Sequence, residues 1–121
     1  MAVVPYYDQT KVKADLRITD TSNDTQLDHW GEEAENEIDD LVYSTASKMR
    51  NAPTLPVLPF ASGSVPESIQ GAADHYVKAK YYEFVRNLEL ADHHDKKWRE
   101  RVEAWVEKLK TEKRIYSRIM R

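Results

Sequence analysis

The chain has 121 residues, a net charge of -3 and no cysteine, which excludes disulfides, thiolate metal sites and cysteine nucleophiles. With 32% charged residues, 40% hydrophobic residues and only 3 glycines, the composition fits one helical domain, large enough to bury roughly two-thirds of its unfolded surface. No apolar run approaches the roughly 20 residues that span a bilayer, and Met1-Ala2-Val3-Val4-Pro5 lacks signal-peptide character, so a chain kept in a cytoplasm and off membranes is expected.

The charge is unevenly placed. Residues 1–66 sum to -6 and residues 67–121 to +3. Between Asp20 and Asp40 stand nine carboxylates and no Lys or Arg, whereas from Lys108 onward there are six basic residues against Glu112 alone.

Residues 1–8 read as an N-terminal arm, with Val3-Val4-Pro5-Tyr6-Tyr7 apolar and aromatic. A short helix near Gln9 to Leu16 follows, with Asp8 or Thr10 able to cap it and Val12 and Leu16 one turn apart. A helix this short is marginal alone and must dock on something. Thr19-Asp20-Thr21-Ser22-Asn23 is a turn of side chains that bond their own backbone. Asn23 or Asp24 then opens a long helix to about Arg50, whose inward stripe is Leu27, Trp30, Ala34, Ile38, Leu41, Val42 and Met49. Its carboxylates lie mostly off that stripe. Glu32, Glu33, Glu35, Glu37, Asp39 and Asp40 form either a solvated face at the favourable end of a helix dipole or an electronegative surface with a task.

Pro53, Pro56 and Pro59 exclude helix from the next segment, a proline-rich loop over residues 52–65. The loop carries Leu55, Val57, Leu58 and Phe60, apolar for a linker and long for a compact domain. These residues either plug the end of the bundle or bury in a neighbouring subunit.

From Pro66 to Leu88, apolar or small residues fall at Ile69, Ala72, Ala73, Tyr76, Val77, Tyr81, Phe84, Val85 and Leu88. The plainly polar stripe, Glu67, Gln70, Asp74 and Lys78, is narrow, so this helix belongs in the middle of a small bundle. A turn at Glu89-Leu90-Ala91 and a cap at Asp92 would then start the last helix. Its seam of Trp98, Val102, Trp105, Leu109, Glu112, Tyr116 and Ile119 follows alternating spacings of four and three. Paired with the preceding helix as a hairpin, it leaves residues 115–121 protruding by roughly 10 Å at about 1.5 Å per residue. That end holds Ile115, Tyr116, Ile119 and Met120 beside Arg114, Arg118 and Arg121, a combination suited to docking on another protein.

No chemistry is evident. His93 and His94 are adjacent and point about 100° apart on a helix, and His29 with Glu33 is a weak ligand set. Phosphate loops, metalloprotease motifs and nucleophile elbows are absent, so neither catalytic residues, a metal nor a cofactor is expected.

Leu16-Arg17-Ile18-Thr19, the polar turn, Leu27 and Ala34-x-x-x-Ile38-Asp39 resemble the start of phage head–tail connector proteins, also called adaptor or head-completion proteins. Pro66-x-x-Ile69-x-x-Ala72-Ala73-x-x-Tyr76, followed by Tyr81-Tyr82, is similar to the opening of that family's third helix. The likeness covers about two-thirds of the chain and departs from the family in the proline-rich segment and the long basic end. The predicted elements make an all-α domain of three long helices and one short one, and the likeness agrees with that. It implies a virion protein, made in the host cytoplasm, that forms a homo-oligomeric ring between the portal and a tail-side stopper. Genomic DNA would pass through without specific binding. On that basis Arg114 to Arg121 would meet the portal, Leu55 to Phe60 a neighbouring subunit, and the acidic face of the second helix the DNA channel. The other reading is a cellular helical domain holding one partner through its last helix.

Overall fold

A computed structural model of the chain describes residues 6–49, 58–60 and 64–119, with side chains described as far as Leu109. Four helices occur in the order α1 (Gln9–Leu16), α2 (Asp24–Ser47), α3 (Glu67–Phe84) and α4 (Leu88–Ile119), and the described residues contain no strand. The helix α3 packs against each of the other three. This is what its broad apolar girth demands, because Ala72 and Val77 flank the stripe of Ile69, Ala73 and Tyr76 on opposite sides, about 140° apart, and cannot both face one neighbour.

The short helix α1 is held from several sides. Asp8 accepts the Lys11 N–H at its start, Val12 is fully buried, and Lys13 pairs with Asp24 of α2 at 2.7 Å. In α2 the inward residues are Leu27, Trp30, Ala34, Ile38, Val42 and Ala46, with Leu41 and Met49 packed at the edge of the core. The arm contributes more than expected, since Tyr6 and Tyr7 are both core residues. The Tyr7 ring lies on α2 where Gly31 leaves room: a Cβ there would sit 2.5 Å from Tyr7 Cδ1. Glycine weakens a helix interior by about 1 kcal/mol relative to alanine, and here the ring contact is what it admits.

The turn between α3 and α4 corrects the sequence reading. It lies at Val85, Arg86 and Asn87, whereas Glu89, Leu90 and Ala91 are already helical. Arg86 takes a left-handed φ of 63°, and the Asn87 N–H reaches back to the Tyr82 carbonyl at 2.8 Å, the wrap that ends a helix. Asn87, not Asp92, caps α4, its side chain accepting the Leu90 N–H. The end of α1 is built alike, with Arg17 at φ 59° and the Ile18 N–H bonded to the Lys13 carbonyl. Glycine normally fills such positions. With arginine in both, the sequence carries no stop signal at Phe84, and the expected helix ran four residues too far.

The described part of the proline-rich loop, residues 58–60, folds back on the bundle. Phe60 is buried inside its own chain, its ring 5.6 Å from both Tyr6 and Trp105, which is the bundle-plugging alternative at this residue. Leu58 packs partly against the same core, because a phenylalanine ring that reaches this cluster escapes water at once. Leu55 and Val57 lie outside the described residues.

Candidate interaction surfaces

The relative lengths of the helices create the first surface. Tyr6 donates to Asp39 of α2 at 2.9 Å and sits beside Phe60, which meets Trp105 of α4, so Asp39 and Trp105 share a level. The Trp30 ring meets Phe84, which places the start of α2 by the start of α4 and makes the two parallel. Past that level α2 runs eight residues to Ser47 and α4 fourteen to Ile119. Thus α4 outruns α2 by about six residues, roughly 9 Å. Arg114, Ile115, Tyr116, Arg118 and Ile119 fall on this last stretch of helix, while Met120 and Arg121 lie outside the described residues.

The opposite pole is the α3–α4 turn. Phe84 is 63% and Leu88 69% exposed, and Val85 and Leu90 are exposed as well. The sequence reading placed Phe84, Val85 and Leu88 on the covered face of α3. With the helix ending at Phe84, they instead form an apolar cap on the end of the bundle.

The acidic face of α2 divides in two. Glu32, Glu37 and Asp40 are exposed. Glu33, Glu35 and Asp39 are half-buried, and two of these are engaged within the chain: Asp39 accepts from Tyr6, and Glu33 meets His29 at 3.3 Å and the Tyr76 hydroxyl at 3.5 Å. Asp28 likewise accepts from Tyr7 and Gln9. Much of the acid therefore fastens the arm and α3 to α2. Burial, reinforced by the charge of Asp40, raises Asp39 above the usual carboxylate range against the lowering hydrogen bond from Tyr6.

A polar cleft between α1, α3 and α4 escaped sequence reasoning. Asp74, expected on the wet stripe, is only 3% exposed. Its Oδ1 accepts the Asp8 N–H at 2.9 Å, which ties the start of α1 to α3, and Oδ2 has no hydrogen-bond partner. Burial pushes its pKa up to about 6, against the Asp8 hydrogen bond and the charges of Lys11 and Lys78. Beside it, Arg101 lies against Gly71, where a Cβ would come within 2.5 Å of the guanidinium. Two histidines are organised beside it. His75 Nδ1 and His94 Nδ1 are 2.9 Å apart across α3 and α4, and His94 stacks on Tyr82 at 5.4 Å. One nitrogen must donate and the other accept, so the pair is compatible with neutral rings but not with two imidazoliums. Burial, then the neighbouring His94, lowers His75 to about 4. No group of three or more His, Asp or Glu able to hold a metal occurs among the described residues.

This cleft yields a signed pH prediction. Native Asp74 takes up its proton more readily than the unfolded chain, so between about pH 4 and 6 acidification favours the fold, and that advantage is lost as pH rises through 6. Asp74→Asn keeps an oxygen for the Asp8 N–H and removes the buried charge. It is expected to stabilise the protein by about 2 kcal/mol at pH 8 and by much less at pH 4.5. His75 acts oppositely, since its depressed pKa costs stability as pH falls from about 6.5 to 4. The variant should therefore show steeper acid destabilisation than wild type. Thermal melts at several pH values check this, and a variant less stable than wild type at pH 8 would mean that Lys11 or Lys78 compensates the ionised carboxylate.

No family model, no curated protein and no solved structure matches this chain. Among the described residues no helix is long and apolar enough to cross a membrane.

Proposed function

We propose that this chain is a non-catalytic structural protein of a tailed-phage virion, a head–tail connector that assembles with copies of itself into a ring. The ring sits between the portal and a tail-side completion protein, and the genome passes through it. The reading draws on the likeness of Leu16 to Asp39 and of Pro66 to Tyr82 to that family. The observation that carries it is the extension of α4 beyond α2, in a stretch whose sequence is both apolar and basic. A helix end of this composition, held out by a rigid bundle, serves assembly better than it serves its own core.

The test is the native mass of the protein by sedimentation across a range of concentrations, with electron micrographs of any large species, alone and mixed with the portal. Closed rings of about a dozen copies are expected, the cyclic symmetry that head-to-tail contacts generate. A chain that stays monomeric in both settings overturns the ring and favours a small helical domain that holds one partner through the end of α4.

A further inference from the structure

The two ends of α4 differ in charge, and apolar residues stand at both, exposed at the α3–α4 turn and present in the sequence at the other end. At the α3–α4 turn, Phe84, Val85, Leu88 and Leu90 are exposed within seven positions, with Glu83 just before them and Arg86 and Glu89 among them also exposed. The Trp30–Phe84 contact places the acidic first half of α2 at this same pole. Among the described residues Asp24 pairs with Lys13 and Asp28 is bonded to Tyr7 and Gln9, while Glu32 is exposed and Glu35 half-buried in this half; Glu37 and Asp40 lie farther along α2, toward the level of Trp105. At the other pole the sequence from Lys108 to Arg121 holds six basic residues against Glu112, together with Ile115, Tyr116, Ile119 and Met120.

Within one molecule these poles cannot meet. The 32 residues of α4 hold them apart, by about 48 Å at 1.5 Å per residue. A second copy can bring them together. We infer that the end of α4 of one copy docks on the α3–α4 turn of the next, its apolar residues covering Phe84, Val85 and Leu88 and its basic residues facing the acidic first half of α2. The inference rests on the ring reading and supplies its contact. The two patches are different surfaces, so each copy uses both and association continues head to tail until rotation closes the circle. Apolar residues provide the cohesion, and opposite charge fixes the direction and speeds the encounter.

Two variants of the full bundle test this by sedimentation velocity. Val85→Glu with Leu88→Glu spoils the turn, and a chain ending at Arg114 lacks the docking end. Val85 and Leu88 are exposed, so circular dichroism and melting of the first variant should match wild type, and the same measurements on the shortened chain establish that it is folded before its assembly is compared. Each variant alone is expected to need more than about tenfold higher concentration to assemble than wild type does, and high salt should weaken wild-type assembly. An equimolar mixture of the two should give a one-to-one pair and nothing larger, because a single intact turn and a single intact end remain.

Assembly of either variant at wild-type concentrations overturns the contact, as does a mixture in which the two ignore each other. Rings that survive both changes reject this contact and leave the ring reading standing. A wild-type chain that is monomeric alone but assembles on the portal does the same. Truncation that abolishes portal binding while self-assembly persists assigns the end of α4 to the portal instead.

Discussion

Trp98→Ala is expected to destabilise the fold by about 3–5 kcal/mol, the range for removing a large aromatic from a packed core, and to lower the melting temperature by on the order of 10–20 °C. Trp98 is 2% exposed. Its ring meets Tyr76 edge-on at 5.4 Å, and its indole N–H donates to Asp95 one turn earlier at 2.9 Å. Truncation would open a cavity between α3 and α4 and remove the indole donor from Asp95 Oδ1, leaving Asp95 its pairing with Arg99. Trp30 and Trp105 stand on apolar stripes of the sequence just as Trp98 does. Trp105 is only partly buried against the core, and Trp30 lies near the exposed turn beside Phe84, so both should cost less than Trp98. Calorimetry of the three variants checks the order, and a loss under about 1 kcal/mol for Trp98→Ala would contradict the placement of this ring.

Tyr6→Phe should cost about 2–3 kcal/mol although it opens no cavity and removes a single oxygen. The Tyr6 hydroxyl accepts the buried Phe60 N–H at 2.8 Å and donates to Asp39 at 2.9 Å. Without it an amide remains buried with no acceptor, and the raised carboxyl of Asp39 loses the hydrogen bond that lowers it. Tyr7→Phe is the control. The Tyr7 hydroxyl donates to Asp28, which also accepts from Gln9, in a partly buried setting, so its loss should cost less than about 1 kcal/mol. Urea denaturation of both variants at neutral pH, with unchanged m-values, decides the matter. Equal losses would show that the buried Phe60 amide is not what makes Tyr6 costly.

The same hydroxyl explains why the loop reading divided. Sequence alone leaves Leu58 and Phe60 free to plug the bundle or to reach a neighbour, because proline spacing fixes an extended backbone and not its destination. Tyr6 decides it by offering Phe60 both a ring and an acceptor. Neither signal is visible from a tyrosine near the start of the chain, 54 residues away.

By itself the sequence determined what is periodic or local. The cap at Asp8, the inward stripe of α2 and the central position of α3 follow from 3.6-residue spacing and from short polar side chains that bond nearby amides. The charge division between the two halves is likewise a property of the chain alone. Tertiary structure decided what depends on distant partners or on backbone strain. Helix α3 stops at Phe84 because Arg86 accepts a left-handed conformation, a cost of order 1 kcal/mol that packing can outweigh and that no glycine announces. Asp74 is buried because α1 lays the Asp8 amide over it, and His75 meets His94 because the shifted turn fixes the register of α3 against α4. Polarity on a helical wheel predicts exposure only until another element covers that face, and which element does so is settled by the whole bundle.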